Sequence, residues 1–523
     1  MRIIVWSCVA LSVFVSGQAA QAQESTQSAT SAVEGEPQLN SPAAAYRESV
    51  AKQLMELCDL VMERHVDPPA KQQLLLTVLK TAWSKRKAEA QAGDAAFEDP
   101  RIRRLGRNVS GLASDAEFTR SLVECFDDIE LSEKDDTLLV DQLMQSVLFA
   151  APGGGQVSKA SGLEVERQLA ENRYVGIGIA LAQNDGLPLI SKCFYNGPGY
   201  RLGVRTNDVI LEIEGNRTSG KTLAEIVDVL RGEKGTDVTL LLRNPSDSVE
   251  REITVTRDVT FIPTVAGIRA DQNGRWIHRL DTEPHFAHLH IERFGPSTVH
   301  ELKKLAGELA SGDKPLDGII LDLSRGGGPL KDVVMVADQF LETGAIGAAV
   351  FPDRVQDYQA QPGSLFKGVP MVIIVAPTSS ASSVLLATAL RDNDRATVVG
   401  SPTNGLSYIR GAFSLSTGDQ VVFPTGFIRR ANGDLMAPRT RSGVPNPIQE
   451  QRQAAGAILV NTSYLVPDHV VTNTPANARR SQPTSHPEKS PVMSKAIAVL
   501  KASVSDQKKA VAGSASDTTG GDS

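Results

Sequence analysis

The sequence predicts a multidomain protein of mixed α+β and α/β class, with a helical N-terminal region, a small partly open β-barrel and a βαβ core. Three observations predict it. Apolar residues recur at helical spacing over 44–83. Short strand-like runs separated by explicit turns fill 174–258. From 261 to 447, nearly all-apolar strands alternate with helices, the pattern of a largely parallel sheet covered on both faces.

The elements follow in chain order. Arg2 precedes an apolar run from Ile3 to Val15, and Ala20-Gln21-Ala22 offers small residues where a signal peptidase cuts, so residues 1–22 read as a secretory signal peptide. Residues 23–43 are rich in Ser, Thr, Gln and Ala and are expected to be a disordered leader. The helical region spans 44–150. Its first part carries Leu54, Leu57, Val61 and Met62, then Leu74, Leu75, Val78 and Leu79, with Asp67-Pro68-Pro69 dividing two helices. Further helices are expected over 114–126 and 136–148, closed by Gly153-Gly154-Gly155. In the barrel, strands are expected over 175–181, 189–194, 208–213, 238–242 and 252–256, with one helix over 222–231. In the core, strands over 287–291, 318–323, 369–375 and 396–399 alternate with helices over 297–310, 330–341 and 380–392. Residues 451–523 read as a mostly polar tail with one helix over 492–500.

Composition excludes several function classes. Of 523 residues, 41% are hydrophobic and 22% charged, and the formal charge of −7 leaves no basic footprint for nucleic acid. After residue 15 no run approaches the ~18 apolar residues of a membrane span, so none is expected and the location is periplasmic or extracellular. Beyond the signal segment the cysteines are Cys58, Cys125 and Cys193. A Cys58–Cys125 disulfide and three isolated buried thiols both remain open, and the spacing matches no metal site. No metal and no cofactor is expected.

Residues along the chain carry a resemblance. Tyr174-Val175-Gly176-Ile177-Gly178-Ile179 resembles the peptide-binding loop of a PDZ domain, and Gly197-Pro198-Gly199 and Leu202-Gly203-Val204-Arg205-Thr206-Asn207-Asp208-Val209-Ile210 resemble its next helix and strand. Arg231-Gly232-Glu233-Lys234-Gly235-Thr236 is similar to a turn of the C-terminal processing peptidases, or tail-specific proteases. Gly318-Ile319-Ile320-Leu321-Asp322-Leu323, Arg395-Ala396-Thr397-Val398-Val399-Gly400 and Gly443-Val444-Pro445 are similar to that family's core motifs in order and spacing. The resemblance covers about residues 50 to 500, apart from an insertion near 85–150. It implies a PDZ domain over 172–258 and a peptidase core of tail-specific protease type over 261–450.

For a PDZ domain the resemblance implies peptide or protein C-termini as partners. Backbone N–H groups over Gly176, Ile177, Gly178 and Ile179 would nest a terminal carboxylate, and Ile226, Val229 and Leu230 would line the side-chain pocket. For the peptidase core it implies a Ser/Lys dyad, in which a lysine kept neutral by desolvation takes the serine proton. The gapless register from Ala389-Leu390-Arg391-Asp392 to Pro402-Thr403-Asn404-Gly405 places Ala381 at the nucleophile, Leu406 at the lysine and Arg410 at an accompanying glutamine. A slip of one residue makes Ser380 or Ser382 the fallback nucleophile. The base is a separate problem, because residues 368–488 contain no lysine and a guanidinium stays protonated. His285, His288, His290 and His300, which precede the sheet core, and Lys331 beside the glycine loop are candidate bases from elsewhere on the chain. The glycine loop Ser324-Arg325-Gly326-Gly327-Gly328-Pro329 stands at the oxyanion region, where Gly327 and Gly328 have N–H groups and Pro329 has none.

The favoured expectation is an exported, catalytically inactive pseudo-peptidase that binds peptide C-termini or extended segments. The alternative is an active serine endopeptidase, a carboxyl-terminal processing protease with a displaced serine and an unusual base. A serine hydroxyl in the cleft within ~3.2 Å of a Lys or His nitrogen would favour the alternative.

Overall fold

The computed structural model describes residues 41–89, 114–133, 136–160, 171–184, 186–246, 249–271, 274–403, 408–436, 464–471 and 487–517. The expected signal peptide, nearly all of the leader, Leu406 and Gly443-Val444-Pro445 lie outside them. The described chain divides into two compact units, one formed mainly by residues 173–262 with 271–275, the other by the remainder.

The first unit is a five-stranded antiparallel path, Ile179–Asn184, Leu187–Cys193, Val209–Ile213, Asp237–Arg243 and Glu250–Thr256. Alternating residues Val238, Leu240 and Leu242 point into its core with Ile190, Ile210 and Val255. The helix Leu223–Leu230 is started by a capping box, in which Thr222 and Glu225 satisfy each other's backbone N–H. One expectation is corrected. The strand expected over 175–181 is broken into Arg173–Gly176, which pairs with Asp258–Phe261, and Ile179–Asn184. Gly178 sits between them at φ +81°, a left-handed conformation that ends a strand at little cost only for glycine.

The second unit contains the expected parallel sheet. Phe286–Ile291, Gly318–Asp322, Met371–Val375, Thr397–Gly400 and His469–Val470 run parallel in that order, with Val265–Ala266 antiparallel at one edge. Because side chains alternate, Leu289, Leu321 and Ile373 face the helices Thr298–Ala310, Leu330–Asp338 and Ala381–Asp392. Ile320, Val372 and Ile374 face Met493, Ala496 and Leu500 of the helix Pro491–Asp517. That helix is far longer than the apolar stretch 492–500. Its polar continuation is anchored by ion pairs such as Lys508–Asp317 at 2.9 Å.

A second, antiparallel sheet has no counterpart in the sequence reading. Gln156–Ser158, Gln420–Arg429, Ala345–Val350 and Val355–Gln359 are neighbours in that order, and Tyr408–Ser414 also pairs with Gln420–Arg429. The helices Pro42–Arg64, Lys71–Glu89, Asp115–Asp128 and Thr137–Ala150 bury Leu54, Leu74, Leu122 and Leu143 together with Val421 and Phe423 of that sheet. They share one core with it, which is why they belong to the same compact unit. Cys58, Cys125 and Cys193 are buried thiols and form no disulfide, which closes the question of a Cys58–Cys125 bridge. Burial pushes the Cys58 thiol up to about 12, so it is inert toward oxidation.

Candidate functional site

The serine-rich segment follows the buried strand Met371–Val375 and opens the helix Ala381–Asp392. Ser380 is the N-cap: its Oγ accepts the N–H of Ser383 at 3.2 Å, satisfying one of the helix's orphan donors. Each hydroxyl here donates to a main-chain carbonyl in or next to the glycine loop. Thr378 donates to Ser324 O at 2.8 Å, Ser379 to Leu323 O at 2.7 Å and Ser382 to Gly328 O at 2.8 Å. Ser383 donates to Gly326 O at 2.9 Å and also engages Arg325 O, and Ser380 donates to Gly326 O.

This geometry bears directly on chemistry. A carbonyl oxygen accepts a hydrogen bond but takes no proton at neutral pH, so none of these partners activates a nucleophile. Among the described residues, no Lys or His nitrogen bonds to Ser380 or Ser382. Ala381 is the half-buried first residue of the helix. The other candidate bases are dispersed. His285, His300 and Lys331 are exposed, and His288 and His290 face Asp322 instead, each at 3.4 Å.

The glycine loop is held just as closely from its other side. Gly327 O accepts the N–H of Phe294 at 2.9 Å. A Cβ on Gly328 would stand 2.1 Å from Phe294 O, and one on Gly326, at φ +88°, 2.5 Å from Ile291 O. Glycine is required there by close backbone approach. Pro329 is the N-cap of Leu330–Asp338.

Arg410 has a structural occupation. Its guanidinium donates to Gly153 O at 2.6 Å and Gly154 O at 3.1 Å, tying the strand Tyr408–Ser414 to the glycine turn after Thr137–Ala150. His65 secures the same turn. It accepts the N–H of Asp67 at Nδ1 (2.9 Å), which leaves Nε2–H to donate to Pro152 O at 3.0 Å. Only the neutral Nε2–H tautomer satisfies both bonds, and burial pushes the imidazole down to about 4. A folded-state value below the unfolded ~6.5 confers stability that is present above pH 6.5 and lost as pH falls through about 4. We expect His65→Gln to remove at most about 3 kcal/mol of the acid-side slope in urea titrations between pH 7 and pH 4. An unchanged slope would show that His65 titrates normally.

In the barrel, Gly176, Ile177, Gly178 and Ile179 form the turn between the two halves of the interrupted strand. Ile177 is buried in the core, and its carbonyl accepts the N–H of Gly199 at 2.8 Å. Gly178 O accepts the N–H of Phe194 at 2.9 Å. Among the described residues the strand Ile179–Asn184 has a neighbour on one side only, and its other edge lies beside the helix Leu223–Leu230. The three expected pocket residues differ in exposure. Ile226 and Leu230 face the barrel core, and Val229 is 43% exposed beside them, since a three-residue step of about 300° falls some 60° short of a full turn. Leu223 and Val227 of that helix are half-buried.

The sequence reading missed the roles of Thr378, Ser379 and Ser383, and the meeting of Asp322 with His288 and His290. The signal for the second was present: His288 and His290 alternate on one strand, and Asp322 ends the next.

Residues 285–441 match peptidase family S41, and residues 196–244 match the PDZ domain. The carboxy-terminal-processing protease of Bartonella bacilliformis is 26% identical over 277 residues, covering 52% of this chain and 61% of that protein. The carboxyl-terminal-processing protease of Synechocystis sp. is 29% identical over 223 residues, covering 42% and 50%. The chain thus matches about half to three fifths of the length of these curated relatives. Among solved structures, a photosystem II D1 C-terminal processing protease aligns at 18% identity over 81% of this chain and 93% of its own, with a TM-score of 0.39.

Proposed function

Because this chain is a member of the C-terminal processing peptidase family, with a PDZ domain and a peptidase family S41 core, we propose that it captures peptide C-termini or extended segments without cutting them. One observation carries the reading: every hydroxyl from Thr378 to Ser383 donates to a carbonyl in or beside the glycine loop, and none to a base. The replacement of nucleophile and lysine by Ala381 and Leu406, and the lack of lysine over 368–488, support it from the sequence. Peptide capture rests on the edge of Ile179–Asn184 that has no neighbouring strand among the described residues. An extended peptide would add there as a further strand, with its main chain supplying affinity and alternate side chains meeting the helix Leu223–Leu230. The N-terminal pattern of residues 1–22 supports export, with the periplasm or the outside of the cell as the site of action.

The test is turnover of a fluorogenic peptide with an apolar C-terminus, compared with the Ser380→Ala/Ser382→Ala double variant. We expect no cleavage by either protein, and saturable binding of the same peptide that weakens at least about tenfold when its C-terminus is amidated. Hydrolysis that the double variant abolishes would establish the active-endopeptidase reading instead.

A further inference from the structure

A cluster of titratable side chains, His288 buried and His290 and Asp322 half-buried, lies apart from the serine hydroxyls. His288 and His290 occupy alternate positions of Phe286–Ile291, and Asp322 closes the neighbouring parallel strand in register with His290. Asp322 Oδ2 is 3.4 Å from both His288 Nε2 and His290 Nδ1. Such spacing is within ion-pair range but long for a hydrogen bond. His288 is 4% exposed, and among the described residues neither of its ring nitrogens nor His290 Nε2 has a hydrogen-bond partner. Native cores pair nearly all such atoms, so this concentration calls for a physical account.

The carboxylate also has a mechanical connection. Asp322 Oδ1 accepts the N–H of Ser324 at 2.9 Å, and Ser324 O accepts the Thr378 hydroxyl at 2.8 Å. Asp322 therefore holds the first residue of the loop that receives the serine segment. The charged groups acting on His290 are Asp322 from the adjacent strand, Glu292 from its own chain segment and Arg325 from the glycine loop. His278 approaches through Nδ1 to His288 O at 3.2 Å, and the helix Pro491–Asp517 presents Met493, Ala496 and Leu500 to this face of the sheet.

We infer that His288, Asp322 and His290 form a proton-operated latch on the glycine loop. With His290 protonated, the Asp322 carboxylate is compensated and keeps Ser324 docked. When that proton leaves, the largely buried carboxylate loses its compensating charge, and the loop moves to admit water. Uncompensated buried charge is strongly destabilising, which supplies the driving force.

The electrostatics agree in sign. Burial by itself lowers the His290 pKa, but the neighbouring Asp322 carboxylate outweighs it and raises the imidazole above its ordinary value. Burial would raise Asp322, yet the two imidazoles hold its carboxyl well below the usual range. A raised histidine confers stability fully present below the unfolded ~6.5 and lost as pH rises through the folded value. A depressed aspartate confers stability present above ~3.9 and lost as pH falls through its folded value. The latch is therefore closed over about pH 4–6.5 and opens on the alkaline side.

Hydrogen exchange of the full protein, read by mass spectrometry and corrected for intrinsic exchange, tests this at about pH 6 and about pH 8.5, on either side of the raised histidine. Protection of segments 323–329 and 376–384 should fall at least about tenfold between the two, while the strand Asp237–Arg243 serves as an unchanging reference. His290→Gln, which keeps a donor but does not titrate, should flatten the step. Protection in the wild-type protein that is the same at both pH values would overturn the latch, whether or not the variant folds. So would an undiminished step in His290→Gln.

Discussion

Arg430→Met is expected to destabilise the second unit by about 3–5 kcal/mol, the usual consequence of leaving one partner of a buried ion pair uncompensated. Arg430 Nε donates to Asp392 Oδ2 at 3.0 Å, and a second guanidinium nitrogen engages Oδ1, so the pair is bidentate. The two side chains are only 11% and 5% exposed. Asp392 is the last residue of the helix whose first turn carries the serines, and Arg430 directly follows the strand Gln420–Arg429. The pair thus fixes the far end of the helix against the antiparallel sheet, while hydroxyl-to-carbonyl bonds fix its near end. Urea unfolding of the single variant, and of Asp392→Leu/Arg430→Met, measures both the loss and its origin. The double variant should recover most of the stability, because removing both charges leaves nothing buried and unpaired. A single-variant loss below about 1 kcal/mol would mean that water reaches the pair and screens it.

Arg395→Met should have a comparable effect, about 3–5 kcal/mol, for a different reason. Its guanidinium donates to three carbonyls: Phe340 O at 3.1 Å, Val369 O at 2.9 Å and Phe366 O at 2.8 Å. Charge-assisted hydrogen bonds contribute about 1.5–3 kcal/mol each and do not simply add. Burial lowers the guanidinium pKa without bringing it near neutrality, because an arginine stays protonated in proteins. Arg395→Lys separates charge from shape. An ammonium on a flexible stem does not span the three directions of the planar fork, so at least about half of the loss should persist. Full stability in the lysine variant would show that charge alone matters at this site.

The helix that bears the candidate nucleophile position is therefore rigidly placed, with Arg430 and Arg395 near one end and Ser380, Ser382 and Ser383 at the other. That placement gives the pH latch something to act on. Movement of the Ser324–Gly328 loop would release several hydroxyl bonds together, since Thr378, Ser380, Ser382 and Ser383 all end on it.

Periodicity along the chain was enough to determine the helices of the N-terminal region, most barrel strands, and four of the parallel strands with their helices. Leu54 and Leu57, or Met371 to Val375, declare their environment because a continuous apolar stripe or run has one low-energy fate. Local order also determined that no lysine lies between 368 and 488. The second sheet was not legible, because Gln420–Arg429 is interrupted by Pro424 and Gly426 and its partner Ala345–Val350 is distant in sequence. Tertiary structure alone decided what each polar side chain meets. The serines resemble an activated cluster in one dimension and prove to be stitched to carbonyls in three. Arg410 passes for an altered site residue until its contacts with Gly153 and Gly154 are seen. Asp322 joins two histidines only through strand register. The physical reason is that burial of apolar groups is non-directional and is written into composition and spacing, whereas hydrogen bonds and buried charges depend on ångström-scale placement that exists only once the chain has packed.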